Sequence, residues 1–346
     1  MKNGQTVAAF ERAFADYVGA KWAVALCNGT ATLHTALVAL GVKPGDRVAV
    51  PPLTMSATTI AVLHAGAVPV FMDVDKRTWL ADLTTIGSAR AHIPVSLYGL
   101  HQRWEGKNCV VDDAAQTLRP HSNNTAFTSY SFQASKILSL GEGGMLVTDD
   151  EELATRAREF SSLGYRMRAD QPRIDPDALK SPTFDRHYSL GYNYRMNDLT
   201  AARGLMMLRD PVQVGPETYQ TIADWAKADR LRCAALYRSA ITGCDWLTLQ
   251  HVPEGWTHDA WAFAVVCDTV ACAISLQAKM HELGAEVPYG CWRVTYQEPA
   301  FRHLAPDGTC PIAEDLQPRI LAFQTNTLSS AEQNAQALRR AIEEMS

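Results

Sequence analysis

The order of apolar patterns along the chain predicts an α/β protein: a large, mostly parallel sheet between helices over residues 1–210, then a smaller α+β domain over residues 211–346. Two observations carry this. Short β-rich runs alternate with helix-period segments through the first half, and the long helical pattern after the proline-bounded stretch 211–216 has little of that rhythm. The 346 residues exceed one ordinary domain, and 47% hydrophobic with 20% charged residues is the balance of an ordered globular chain.

In chain order, Val7, Phe10, Phe14 and Val18 recur at helical spacing in an amphipathic segment, residues 1–19, that carries Glu11, Arg12 and Asp16 and no apolar signal-peptide core. A buried strand is expected at residues 22–26. Leu33, Leu37 and Leu40 line a second helix closed by Gly41. Strands at 47–50 and 68–71 flank a helix at 58–65, and further strands are expected at 92–97 and 109–111. Residues 145–148 form a strand after a glycine-rich turn and lead into a helix over 151–163. A polar, proline-bearing stretch, 166–186, reads as a long surface loop, a candidate cover for a neighbouring subunit's site. A helix at 197–208 ends the first part. The second contains helices at 217–241, 270–283 and 331–345, with strands at 261–267 and 320–323.

Lys plus Arg number 32 against 37 for Asp plus Glu, a net charge of −5 with no basic run, so no nucleic-acid footprint is present and small-molecule substrates are expected. The 8 cysteines are scattered without zinc spacing, which predicts no metal site and a reduced, cytoplasmic location. The most apolar stretch, 260–276, is broken by Asp268, so no membrane span is expected.

In an open α/β sheet, ligands gather at the carboxyl ends of strands, and three segments there are informative. Cys27, Asn28, Gly29, Thr30 and Ala31 link a strand to a helix, so their N–H groups and the Thr30 hydroxyl suit a phosphate, as they also suit an ordinary helix cap. Residues 109–116 end an apolar run on Asp112, Asp113 and Gln116. One carboxylate aimed into a cleft keeps a heteroaromatic nitrogen protonated and turns a bound pyridine ring into an electron sink; the everyday alternative is a solvated strand end. Residues 129–136 end on Lys136, flanked by small and hydroxylated residues and followed by Gly141-Glu-Gly-Gly144. A partly desolvated amine there suits a Schiff base with an aldehyde cofactor, where most lysines are solvated charges. The glycine turn lacks the G-x-G-x-x-G order, which excludes a dinucleotide site.

Taken in this order, the segments resemble the fold-type I pyridoxal-phosphate enzymes, and more narrowly the DegT/StrS type of sugar aminotransferase. The motifs that carry the resemblance are Asn28-Gly-Thr-Ala-Thr-Leu-His34, Pro51-Pro-Leu-Thr-Met-Ser-Ala-Thr58, Asp113-Ala-Ala-Gln116, Ser131-Phe-Gln-Ala-Ser-Lys136, Gly141-Glu-Gly-Gly144 and Gly191-Tyr-Asn-Tyr-Arg-Met196. It runs through residues 7–208 and returns more weakly over 299–321. The resemblance implies a mostly parallel sheet of the seven-stranded type, a homodimer with shared active sites, and pyridoxal 5'-phosphate as cofactor, with pyridoxamine 5'-phosphate in the half-reaction. It also implies transfer of an amino group from a donor such as glutamate to a keto-sugar, linked to a nucleotide, in amino-sugar biosynthesis.

By the same resemblance, Lys136 is the catalytic lysine of the internal aldimine and the proton shuttle, and Asp113 is the acid on the pyridinium nitrogen. Gln116 stands beside the ring near its 3-hydroxyl. Gly29, Thr30 and Ser131 fall on phosphate-binding positions, and Asn193 on one that reaches the phosphate from the partner subunit. The chain departs from the family pattern at Met55, where an aromatic ring usually stacks on the cofactor, and at Gly290 and Cys291, where a His-Tyr pair is common. The family's N-terminal arm is absent, and the connections at 99–108 and 117–130 are short. Trp292 and Arg293 suit the anionic part of a nucleotide, or are a packing tryptophan beside a surface arginine; Arg195 suits either the dimer contact or the site, and His34 a structural role. Two other readings stand beside transamination. One is a pyridoxal-phosphate keto-sugar dehydratase, against which Lys136 speaks, since dehydratases of the family carry histidine there. The other is a non-catalytic regulatory or scaffold homologue, motivated by Met55 and the short connections and opposed by the complete anchoring set.

Overall fold

The computed structural model describes residues 5–85, 88–104, 110–170, 177–305 and 310–345. Residues 1–4 of the first expected helix, Cys109, and residues 171–176 of the expected surface loop lie outside the described residues. Strands β1 (Trp22–Leu26), β2 (Arg47–Val50), β3 (Val68–Phe71), β4 (Ala91–His92), β5 (Val111–Asp113), β6 (Phe127–Ser131) and β7 (Gly144–Thr148) form two ladders, β3-β2-β4 and β5-β6-β7-β1. Parallel bridges from His92 to Val110 and from Val95 to Asp113 join these into one seven-stranded sheet. Only β7 runs against its neighbours.

The strands are almost continuously apolar because both faces are covered. Alternate residues of β1 show it: Val24 and Leu26 pack with helices α2 (Gly29–Ala39), α3 (Ala57–His64) and α4 (Glu151–Ser161). Ala23 and Ala25 face α1 (Gln5–Val18) and α5 (Asp198–Arg209) on the other side. There Phe14 meets the Tyr130 ring edge-on at 5.0 Å and the Phe132 ring at 5.3 Å. Glu11 of the amphipathic first helix is 5% exposed: it accepts from Ala25 N–H at 2.9 Å and from Arg158 Nη1 at 2.9 Å. At the α1–α5 crossing, a Cβ on Gly204 would stand 2.4 Å from the Phe10 ring. Gly204→Val therefore overpacks the contact, and we expect it to cost about 1–3 kcal/mol, read as a lower Tm of the cofactor-free protein.

The second part holds the hairpin β8 (Val212–Val214) and β9 (Glu217–Tyr219), helix α6 (Ile222–Ala240), and strands β10 (Leu247–Leu249) and β11 (Ala262–Cys267). Helix α7 (Val270–Glu282), β12 (Tyr289–Gly290), the short α8 (Pro311–Leu316), β13 (Ile320–Gln324) and α9 (Leu328–Met345) follow. The antiparallel sheet β10-β11-β13-β12 is backed by α6, α7 and α9.

Several expectations change. The helix read over 217–241 begins at Ile222, because Thr221 caps it by accepting Asp224 N–H at 3.0 Å, while Gly215, at φ 60°, turns the preceding residues into the hairpin. The strand read over 92–97 shrinks to Ala91–His92, since Pro94 has no N–H to give a ladder. The strand read over 109–111 is Val111–Asp113. Strand β6 was not expected, because its Thr128 and Ser129 look solvated yet are 0% and 1% exposed. No helix among the described residues is long and apolar enough to cross a membrane.

Candidate active site

A cavity of about 480 Å³ opens at the carboxyl ends of β1, β5 and β6. Gly29, Thr30, Met55, Asp113, Gln116, Ser131 and Lys136, all singled out from the sequence, line it together. Asn28 caps α2, its Oδ1 accepting Ala31 N–H at 2.8 Å, which leaves Gly29 and Thr30 at the helix mouth beside Ser131. The approach is so close that a Cβ on Gly29 would lie 2.9 Å from Ser131 Cβ. A helix N-terminus with a serine hydroxyl facing it favours an anionic group.

Asp113 ends β5 and is 4% exposed. Its Oδ2 accepts the Thr58 hydroxyl at 2.8 Å and its Oδ1 accepts Ala115 N–H at 3.1 Å. Burial pushes its carboxyl above the ordinary value, while those two hydrogen bonds and the Lys136 charge pull it back. The sequence left the neighbouring Asp112 as a solvated alternative; it is instead 1% exposed and ion-paired with Arg119. The two carboxylates part because successive strand residues point to opposite faces.

Lys136 sits in the turn after β6, where its N–H donates to Gln133 O at 2.8 Å. Its Nζ stands 4.5 Å above the Trp261 ring. Burial lowers the amine to about 8; the Arg230 charge pushes the same way and Asp113 opposes both. Gln116, 4% exposed, accepts Tyr98 N–H through Oε1 at 2.6 Å, which anchors its amide at the cavity wall. Met55 is 46% exposed at the rim and accepts Ala57 N–H on Sδ at 3.0 Å.

Asn193 is the exception among the expected residues. It is exposed, bridged to Ser162, and absent from the lining of this cavity. Sequence reading missed Trp261 as a site residue: it enters from the start of β11 and donates Nε1–H to Ser135 O at 2.9 Å. Trp292 also lines the cavity and stacks on Trp261 and on Tyr98, each at 6.0 Å between ring centres. Arg293 is exposed and outside that lining. Cys291 is buried beside Tyr98, with burial pushing its thiol to about 12, so it is a packing group at neutral pH. His34, 2% exposed among Phe160, Tyr192 and Tyr194, is kept neutral by burial, which lowers it to about 4.

Comparison with known proteins places the chain in a family. The model of the DegT/DnrJ/EryC1/StrS aminotransferase family matches residues 1–339. GDP-perosamine synthase of Caulobacter vibrioides is 37% identical over 227 residues, 59% of this chain and 57% of that protein. The chain thus spans little more than half the length of the first curated relatives it matches. UDP-N-acetyl-3-dehydro-alpha-D-glucosamine 3-aminotransferase of Acidithiobacillus ferrooxidans is 31% identical over 338 residues, 91% of this chain and 82% of that one. Among solved structures, the aminotransferase from Psychrobacter cryohalolentis superposes with a TM-score of 0.82 at 25% identity, covering 99% of this chain and 92% of that chain.

Proposed function

Because the chain belongs to the DegT/DnrJ/EryC1/StrS aminotransferase family, we propose that it is a pyridoxal-phosphate-dependent transaminase passing an amino group from glutamate to a nucleotide-linked keto-sugar. Its fold is that of the fold-type I pyridoxal-phosphate enzymes. One observation carries the reading: a desolvated lysine, a buried carboxylate and a backbone cup for an anion converge on one cavity from three separate strand ends.

The residues fit that cofactor. At Gly29 a side chain would strike Ser131, so the cup needs glycine there and offers backbone donors with the Thr30 and Ser131 hydroxyls, the donor set a phosphate needs. Bound there, pyridoxal phosphate supplies an aldehyde for an amine and a conjugated ring that takes up the electron pair of a substrate C–H bond. Lys136 Nζ would hold the cofactor through its aldehyde, and as a desolvated base it would carry the proton that the substrate α-carbon gives up. Asp113 holds the proton on the ring nitrogen, with Thr58 and Ala115 holding the carboxylate. Gln116 would hold the ring from the cavity wall, and Met55 would pack against it with a thioether in place of an aromatic ring. Asn193, exposed on its own chain, reaches the phosphate of the partner subunit in a homodimer, and this completes each site.

The Caulobacter relative is named for a GDP-linked sugar product and the Acidithiobacillus relative for a UDP-linked dehydro-sugar that it aminates, which supports a nucleotide-linked acceptor here. The test is a half-reaction. Protein loaded with pyridoxal phosphate and given glutamate is expected to lose its visible band and release 2-oxoglutarate stoichiometrically, and a matching keto-sugar nucleotide restores the band. A loaded protein that releases no 2-oxoglutarate, and whose band no other amino acid bleaches, overturns transamination and favours the scaffold reading.

A further inference from the structure

We propose that Arg230 is a positioning residue for Lys136, and that with Trp261 it forms a bracket through which α6 and β11 hold the lysine's turn and its amine in place. This rests on the reading of Lys136 as the cofactor-binding amine. Arg230 lies on α6, 94 residues along the chain from Lys136, and is 6% exposed. Its Nη2 donates to Ser135 O at 2.9 Å and to Lys136 O at 3.3 Å. Its Nη1 donates to Trp261 O at 2.8 Å and to Thr325 Oγ1 at 3.3 Å. Ser135 O takes a second donor, Trp261 Nε1–H, at 2.9 Å, and the same indole ring lies under Lys136 Nζ.

The guanidinium therefore ties the lysine turn to β11 and to the end of β13, and the indole repeats the tie. Only a planar fork reaches acceptors on three segments at once; a lysine at 230 keeps the charge and loses the fork. All four acceptors are uncharged oxygens, so no carboxylate pairs directly with the buried guanidinium, although the nearby Asp229 charge favours it. Burying a cation this way is costly, and here it places that charge behind the catalytic amine. The charged groups facing Lys136 are Asp113, which favours the ammonium form, Arg230, which disfavours it, and Glu142 in the cavity lining. Arg230 thus serves position through its fork and proton affinity through its charge.

The experiment separates the two. Cofactor-free protein is labelled with acetic anhydride over a pH series, and Lys136 acetylation is read by peptide mass spectrometry for the wild type, Arg230→Lys and Arg230→Gln. The wild type is expected to label with a midpoint near 8. In Arg230→Gln the midpoint rises, and labelling at pH 7 slows by on the order of threefold. Arg230→Lys keeps the midpoint, but captures pyridoxal phosphate more slowly, as read by reductive trapping on Lys136. A residue that merely stabilises the fold lowers Tm in both variants and moves neither readout, and that result overturns the proposal. Where Arg230→Gln does not fold, the capture rate of Arg230→Lys decides: a wild-type rate overturns the bracket. Wild-type protein that fails to trap pyridoxal phosphate overturns the proposed function, and the labelling series, which needs no cofactor, still decides for or against Arg230.

Discussion

Lys136→Ala is expected to lower amino transfer by on the order of 10³-fold or more and to abolish covalent trapping of the cofactor. The side chain makes two contributions that no neighbour replaces. On the proposed reading it provides the amine that meets the aldehyde and carries the proton beside the reacting carbons. Its proton affinity suits both tasks. An ordinary lysine at pH 7 is neutral in about 1 molecule in 3,000; lowered to about 8, the amine is neutral in about 1 in 10. Because the lowered value arises chiefly from burial, cofactor capture should accelerate with pH and level off above a midpoint near 8. The variant should still fold, since the Nζ contact given up is a single cation–π pair worth about 1–2 kcal/mol. Stopped-flow turnover with Tm as control measures this, and a variant with undiminished turnover sinks the assignment.

Asp113→Asn is expected to reduce kcat by about 10²–10³-fold while leaving the fold intact. The substitution preserves shape but removes the charge that, on the proposed reading, stabilises a protonated ring nitrogen. At 4% exposure, with water largely excluded, that charge acts at greater strength than it would in water. Burial pushes this carboxyl upward, and the Thr58 and Ala115 hydrogen bonds with the Lys136 charge oppose it, favouring the anionic form the role requires. Removing the Thr58 hydroxyl should therefore produce a smaller loss in the same direction. Asp113→Asn kinetics within threefold of wild type contradict the pairing; a loss confined to KM assigns Asp113 to binding instead.

Much of the site was legible because its parts follow strands directly. The turn at Gly29 and Thr30, the strand-end Asp113 and the lysine after β6 are each a local pattern, and their order along the chain is the signature. Fold class was legible for a related reason: a sheet covered on both faces demands unbroken apolar runs separated by helices, and those runs are visible in one dimension. Short elements were not. Tyr289–Gly290 is two residues, too short for any period, Ala91–His92 reads only as the edge of a longer run over 92–97, and the hairpin before α6 blended into a helical pattern.

What the sequence by itself determined is the local chemistry: which residue types end each strand, and so which can bind an anion, hold a ring proton or carry an amine. Only the tertiary structure decided what surrounds them. Trp261, Trp292 and Arg230 reach the lysine from beyond residue 210, and Glu11 finds Arg158 across the sheet. Such contacts follow from how separate segments pack, with no spacing in the chain to announce them. They also carry the electrostatics, because a charge's energy depends on the water excluded around it and on the partners folding brings within a few ångströms.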